Sequence, residues 1–359
     1  MARSTRLLVI APSWLGDAVL SLPALHALAD AGASVDLLAR RGTERIFAEV
    51  TAPERLHPVS AASRWQRLQS AWQLRSQRYA AALVLPPSAS AAWMAMASGA
   101  ERSVGERVGG RAFLLTDPIA AAGRATHLSR AYASLGAHAL QICGMDAAPE
   151  LADTANAMSR WPWLHASREE ILEGEEVLRG QGVEPSQAFL VLAPGARYGP
   201  AKRYPPERFA AAAATLARDL ACAVVLVGGR DDAPATAATR SHLPAAVDLA
   251  GRTTQGALVG ILARARGVLS NDSGVMHLAA ALGTPVVGVF GSTNPAWTHP
   301  LGPSATWVVH PVPCAPCYRR RCPIDFPCML QIEPAQLVVA LHGLLAAISP
   351  DSSPQPSRL

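Results

Sequence analysis

The chain has 359 residues, half of them apolar and 16% charged, which excludes a largely disordered polypeptide and leaves room for two domains with separate cores. Its net charge of +5 sits mostly in the first half: residues 1–160 carry 16 Arg against 12 acids, residues 161–359 carry 16 basic residues against 15 acids. No apolar run reaches the roughly 18–20 residues that span a bilayer, so no transmembrane segment is expected, and no RNP, helix-turn-helix or zinc-finger pattern marks a nucleic-acid binder. Modest positive charge suits an acidic partner such as a phosphorylated lipid or an anionic membrane surface, and a solvated arginine-rich surface fits it equally well.

In chain order, the N-terminus MARSTRLLVIAPSWLGDAVL has the outline of a secretory signal. Pro12-Ser13 and then Asp17 cut its apolar core and no A-x-A site follows, so RLLVIA (6–11) reads as the first β-strand of a cytoplasmic protein. A helix begins near Gly16. SVDLLA (34–39) and AALVLP (81–86) are further strands with helical stretches between them, the alternation of a parallel sheet covered on both faces. Residues 150–167 lack a period and read as an inter-domain connection.

A second α/β series follows: FLVLAP (189–194), a loop, the helix PERFAAAAATLARDL, AVVLVGG (223–229) and a helical DDAPATAATR. AVDLAG, a helix through ILARAR, GVLSNDSG, another helix and PVVGVFG complete it. The expected organisation is an α/β domain over 1–160, a second over 161–348, and a disordered tail over 349–359. Ligands of such domains sit at the carboxyl ends of the strands.

The loops there narrow the chemistry. The turn after the first strand, APSWLGDAVL, has one glycine, so the dinucleotide fingerprint is missing, and a Walker A sequence is missing too. GVLSNDSGVMHLAAALGTP reads instead as strand, polar turn, helix from about Ser273, and a strand entering at Pro285. Backbone N–H groups of Ser273 and Gly274 at a helix N-terminus favour a phosphate, although Asp272 or Ser273 serving only as an N-cap satisfies the same pattern. With PGARYGPAK after residue 194 and GGRDD after 227, three polar glycine-bearing loops meet at one edge, the make-up of a nucleotide-diphosphate pocket. Lys202 stands in the first of these loops. It is the single lysine among 32 basic residues, and it could reach a diphosphate as a point charge. In the first domain, Asp17 lies just beyond the first strand, where a carboxylate could act as a general base or merely stabilise a helix start.

Cys143 and Cys222 are isolated and read as buried thiols. Cys314, Cys317, Cys322 and Cys328 form a C-x2-C-x4-C-x5-C run. In a reducing compartment this suggests a structural zinc site, with reduced thiols packing a loop as the alternative. Tyr318 and Arg319 to Arg321, inside that run, could face a donor or a membrane.

The segments APSWLGDAVLSLPAL, PGARYGPAKRYPPERF, VVLVGGRDD and LSNDSGVMHLAAALGTPVVGVFG together resemble the glycosyltransferase family 9 heptosyltransferases, over about residues 6–347. The P-S-W-x-G-D and G-P-A-K-R forms are closer to the type II members than to type I. The resemblance implies a GT-B fold, two Rossmann-like domains facing each other across a cleft, and an ADP-heptose donor. It implies as acceptor the first heptose of the lipopolysaccharide inner core, at the cytoplasmic face of the inner membrane. It also implies an inverting single displacement that needs no cofactor or metal. Carried over by position, Asp17 would be the base and Lys202 would bind the donor phosphates. Ser273 and Gly274 would hold a phosphate, Asp272 would contact the donor sugar, and His277 would sit near the diphosphate. Asp232, with Asp231 as competitor, would hold the ribose, and Met276 would line the adenine pocket. Another acceptor within the family, or a nucleotide-sugar-binding protein without transferase activity, are the alternatives.

Overall fold

Runs rich in Val, Leu and Ala form most of the inner strands, because each sheet is covered on both faces and its strands need no polar side. The computed structural model describes residues 5–60, 63–146 and 158–348. The expected tail over 349–359 and the first part of the connection placed at 150–167 lie outside the described residues. The chain divides into two units between Leu164 and His165.

The first unit holds β1 (Arg6–Ile10), β2 (Ser34–Arg40), β3 (Leu56–Val59), β4 (Ala81–Val84), β5 (Arg102–Glu106) and β6 (Asp117–Ile119). They form one sheet in the order β3-β2-β1-β4-β5-β6, parallel at every pairing. The second unit holds β7 (Phe189–Ala193), β8 (Ala223–Leu226), β9 (Val247–Asp248), β10 (Gly267–Asn271), β11 (Val286–Phe290) and β12 (Ala305–Val309). Its order, β12-β11-β10-β7-β8-β9, is the same topology met from the other edge. Both are the doubly wound arrangement expected from the sequence, in which the strand order reverses between the first and fourth strands and leaves a crevice at their carboxyl ends.

The sequence pattern missed β3, β5, β6 and β12, and overstated β9. Among these, β3, β6, β9 and β12 are sheet edges, where strands are short and half-exposed and therefore carry little hydrophobic signal. The second unit opens on a helix, Arg168–Arg179, started by a capping box: Glu170 N–H donates to Ser167 Oγ at 3.2 Å, and Ser167 N–H donates to Glu170 Oε2 at 2.9 Å. This helix packs on the helix Gln255–Arg264 at backbone distance: a Cβ on Gly260 would fall 1.9 Å from the Glu170 carbonyl oxygen. Gly260→Ala therefore forces the two helices apart and is expected to lower stability by about 1–3 kcal/mol. Chemical denaturation should show a lowered midpoint, and an unchanged midpoint would contradict this packing.

Candidate functional site

The second unit's crevice is tied together by one buried amide. Asn271 closes β10; its Nδ2 donates to the Pro194 carbonyl just after β7 at 2.7 Å, and its Oδ1 accepts the Tyr204 N–H at 3.0 Å. Those bonds fix the intervening loop, which makes a short 3-10 turn over Pro200–Lys202 before Pro205-Pro206 starts the helix Pro206–Asp219. Lys202 is thereby held against Asp272. Its Nζ donates to Asp272 Oδ2 at 2.5 Å, and Thr293 Oγ1, beyond β11, donates to the same oxygen at 2.7 Å. The pair is largely withdrawn from solvent, with 16% of the lysine side chain and 5% of the aspartate exposed.

The helix Gly274–Ala281 begins beside this pair. Ser273 occupies its N-cap position, but the side chain makes no capping bond and lies 3.1 Å from Ser270 Oγ instead. Neither Ser273 nor Asp272 serves as a side-chain cap, so the partial positive charge of the helix start is left facing the crevice next to the ammonium. His277, one turn in, is buried, and its Nδ1 has no hydrogen-bond partner. Burial pushes its pKa down to about 4, while the Asp272 charge pulls it up and Lys202 pushes it down, so His277 lies within the field of both.

Met276 and the last of the clustered cysteines lie against the core of the second unit. Met276 is fully buried, with its sulfur against Gly288 of β11. The four clustered cysteines are free thiols, and among the described residues no three His, Cys, Asp or Glu side chains gather as ligands for one metal ion. Cys328 is buried against Gly291, Cys314 is exposed, and the Cys322 thiol donates to the Ile324 carbonyl at 3.1 Å. Cys314, Cys317 and Cys322 still lie close enough to Cys328 that their charges, after burial, help push its thiol pKa up.

The structure also separates the two neighbouring acids after β8. Asp232 lies between the ends of β7 and β8, accepting the Gly229 N–H at 3.0 Å, and Gly195 has no room for a Cβ, which would stand 2.2 Å from the Asp232 carboxyl carbon. Asp231 is exposed. The cysteine segment meets the Lys202 loop through its backbone: Arg320 O accepts the Ala201 N–H at 3.1 Å, and Tyr318 O accepts the Tyr198 hydroxyl at 2.6 Å. Lys202 Nζ and the Arg320 guanidinium lie 5.2 and 5.4 Å from the centre of the same Tyr198 ring. Thr293, Tyr198 and Asn271 were not singled out in the sequence. Their one legible sign was a place at a strand's carboxyl end, in the STN, ARYG and SND turns.

In the first unit, Asp17 is the third residue of the helix Leu15–Asp30, which starts at the carboxyl end of β1 without a side-chain cap. Its charge reaches the phenol of fully buried Tyr132, which burial first, and then Asp17 and Glu106, raise well above the ordinary tyrosine range. A cavity of about 80 Å³ opens at the carboxyl ends of β1, β2, β3 and β4, lined among others by Ser13, Arg40, Arg67 and Ser88.

The pattern of Glycosyltransferase family 9 (heptosyltransferase) matches residues 67–326. Lipopolysaccharide heptosyltransferase 2 of Escherichia coli (strain K12) is 30% identical over 314 residues, spanning 84% of this chain and 86% of that protein. Lipooligosaccharide heptosyltransferase 2 of Haemophilus influenzae is 27% identical over 310 residues, spanning 84% and 87%. The solved structure of E. coli ADP-heptose lipopolysaccharide heptosyltransferase II superposes with a TM-score of 0.73 at 26% identity, covering 95% of this chain and 99% of that one. A family 9 glycosyltransferase from Veillonella parvula superposes at 0.78 over 97% of this chain and 99% of that one; at 19% identity this is a likeness of fold alone. The fold is thus of the GT-B type.

The buried histidine sets a pH test. An unfolded histidine titrates near 6.5 and His277 near 4, so between those values the unfolded chain binds a proton that the folded chain does not. Stability from this group is full above pH 6.5 and falls as pH drops through that window. Urea unfolding at a series of pH values should show this acid slope, and His277→Phe should flatten it. An unchanged slope in the variant would place the titrating group elsewhere.

Proposed function

The chain belongs to glycosyltransferase family 9 and is a glycosyltransferase, and we propose that it moves heptose from ADP-heptose to the first heptose of the lipopolysaccharide inner core. The observation that carries this reading is the Lys202–Asp272–Thr293 contact beside an uncapped helix start, a preset cradle for a diphosphate. An ammonium has three donors, so Lys202 can keep Asp272 and still offer hydrogen bonds to phosphate oxygens. Ser273 and Gly274 would supply backbone N–H groups to the same diphosphate, Asp272 would meet hydroxyls of the donor sugar, and Asp232 would take the ribose. His277, neutral at pH 7, would line the site without adding charge.

In the reaction, the acceptor hydroxyl attacks the anomeric carbon of the donor and gives its proton to Asp17. The bond from that carbon to the diphosphate oxygen breaks on the opposite face, and ADP departs with the electron pair. Lys202 and the helix start carry the positive charge that stabilises the leaving group. The acceptor is lipid-linked, which puts the working enzyme at the inner face of the cytoplasmic membrane. The cysteine segment takes no part in proton or phosphate chemistry.

Incubation with ADP-heptose and defined truncated core lipids, with the product identified by mass, tests the assignment; no transfer to any heptose-bearing core would sink it. Asp17→Asn is expected to lower kcat by about 10²–10⁴-fold while ADP still binds, because only the proton acceptor is lost. Lys202→Ala should reduce kcat/KM by about 10²–10³-fold. Lys202→Arg should recover little of it, since a planar fork cannot hold Asp272 and a phosphate in the same geometry. Chelation with EDTA should leave turnover unchanged, and loss of rate on chelation would assign a metal to the reaction.

A further inference from the structure

The first unit carries a surface that its core does not account for. The helices Arg64–Gln73 and Ala89–Ala97 and the turn Gly109–Leu114 cover one face of its sheet, and Ala71, Ala91, Ala95 and Leu114 point into the same buried cluster. Their outer sides carry Trp65 (81% exposed), Trp72 (61%), Trp93 (44%), Met96 (49%) and Phe113 (81%). Trp65 and Trp72 are two helical turns apart and share one stripe. One exposed large apolar side chain is ordinary, but several on adjoining elements mark a surface that meets something.

The charge around them has one sign. Residues 55–100 hold five Arg and no Asp or Glu. Among the described residues, Arg64, Arg67, Arg75 and Arg78 take part in no ion pair. Arg75 instead lays its guanidinium over the Trp72 ring at 4.3 Å, keeping its charge level with the indole. Arg102 and Arg111 are different: the first is bound to Asp117, and the second is buried on the Glu106 and Pro86 carbonyls. Indoles at the level of unpaired guanidinium groups suit the headgroup zone of a bilayer, where the ring sits at the apolar boundary and the cation meets phosphate.

We propose that this face docks the protein onto an anionic lipid bilayer, with Trp65, Trp72 and Phe113 entering the headgroup region and the free arginines contacting lipid phosphate. A protein partner suits it less well, because the face offers no acid to pair with a partner's cations. Arg67 stands on the same helix as the two tryptophans and also lines the cavity at the carboxyl ends of β1 to β4. Docking would therefore set that cavity at the membrane plane, where a lipid-linked sugar is presented. Only this last step rests on the transferase reading.

Sedimentation with sucrose-loaded vesicles of phosphatidylglycerol and phosphatidylethanolamine tests the docking, using the full chain and no sugar acceptor. The wild-type protein is expected to sediment with these vesicles, to release at high salt, and to ignore pure phosphatidylcholine. Trp65→Ser with Trp72→Ser should bind about tenfold more weakly, and the more conservative single change Trp65→Ser about threefold, with thermal unfolding as in the wild type. Wild-type protein left in the supernatant, or variants that bind like it, would overturn the proposal. So would a double variant that turns a dimer into a monomer in analytical ultracentrifugation, because the face would then join two copies of the chain. Lipid binding without heptose transfer would keep the surface and remove the activity, whereas transfer to a soluble acceptor without lipid binding would do the reverse.

Discussion

The candidate donor site depends on the reversal of strand order between β7 and β10. Connections leave those two strands toward opposite sides, so no helix of the sheet closes over their carboxyl ends, and polar loops collect there. A gap of this kind would let the strand ends move apart unless something spans it. Asn271 spans it with a fully buried amide that bonds Pro194 on one side and Tyr204 on the other. Losing that amide would orphan a buried N–H and a buried carbonyl together, at about 1–3 kcal/mol each, which is why a polar side chain persists in an otherwise aliphatic layer.

The same geometry accounts for a lysine in a chain that otherwise uses arginine. A largely buried ion pair is weak evidence for stability, because desolvation offsets much of the attraction. Lys202–Asp272 makes better sense as orientation. Asp272, itself held by Thr293, takes one donor of a compact ammonium, and the Tyr198 ring lies along another side of it. His277 beside it is held neutral by burial, so at pH 7 it adds no charge to the positive field of the ammonium and the helix terminus. An arginine in that place would spread its charge over a plane and commit its donors in pairs.

What could be read from the sequence follows from how strongly burial shapes it. The strands β1, β2, β4, β7, β8, β10 and β11 are aliphatic because they are inner or well-covered strands, and they were visible as such. Edge strands such as Asp117–Ile119 are too short and too polar to register. Among the site residues, Lys202, Asp272, Ser273 and His277 stand together because each lies at a strand end or in the first turn after one. Spacing does not separate Asp231 from Asp232; what separates them is Gly195, a residue distant in sequence against which Asp232 packs while Asp231 stays exposed. The packing of Met276 and of the cysteine run was hidden for a related reason. The direction of a side chain is set by the element it packs against, and neither β11 behind Met276 nor Gly291 beside Cys328 is visible in a local pattern.

The cysteine segment acquires a role through its backbone. Gly199 lies so close to Arg320 that a Cβ there would stand 2.5 Å from the arginine carbonyl oxygen, and the same carbonyl accepts the Ala201 N–H. Tyr198 is anchored at its hydroxyl by Tyr318, whose own N–H donates to the Ser292 carbonyl just beyond β11. The Lys202 loop is therefore held between the Asn271 tie on one side and residues 318–320 on the other. Four thiols within 15 residues need not bind a metal or one another to matter here. Any change that moved residues 318–320 would reach Tyr198 and Gly199 first, because the Tyr318 and Arg320 carbonyls that meet them have no rotamer with which to absorb a shift, and the ammonium of Lys202 next, through the Tyr198 ring.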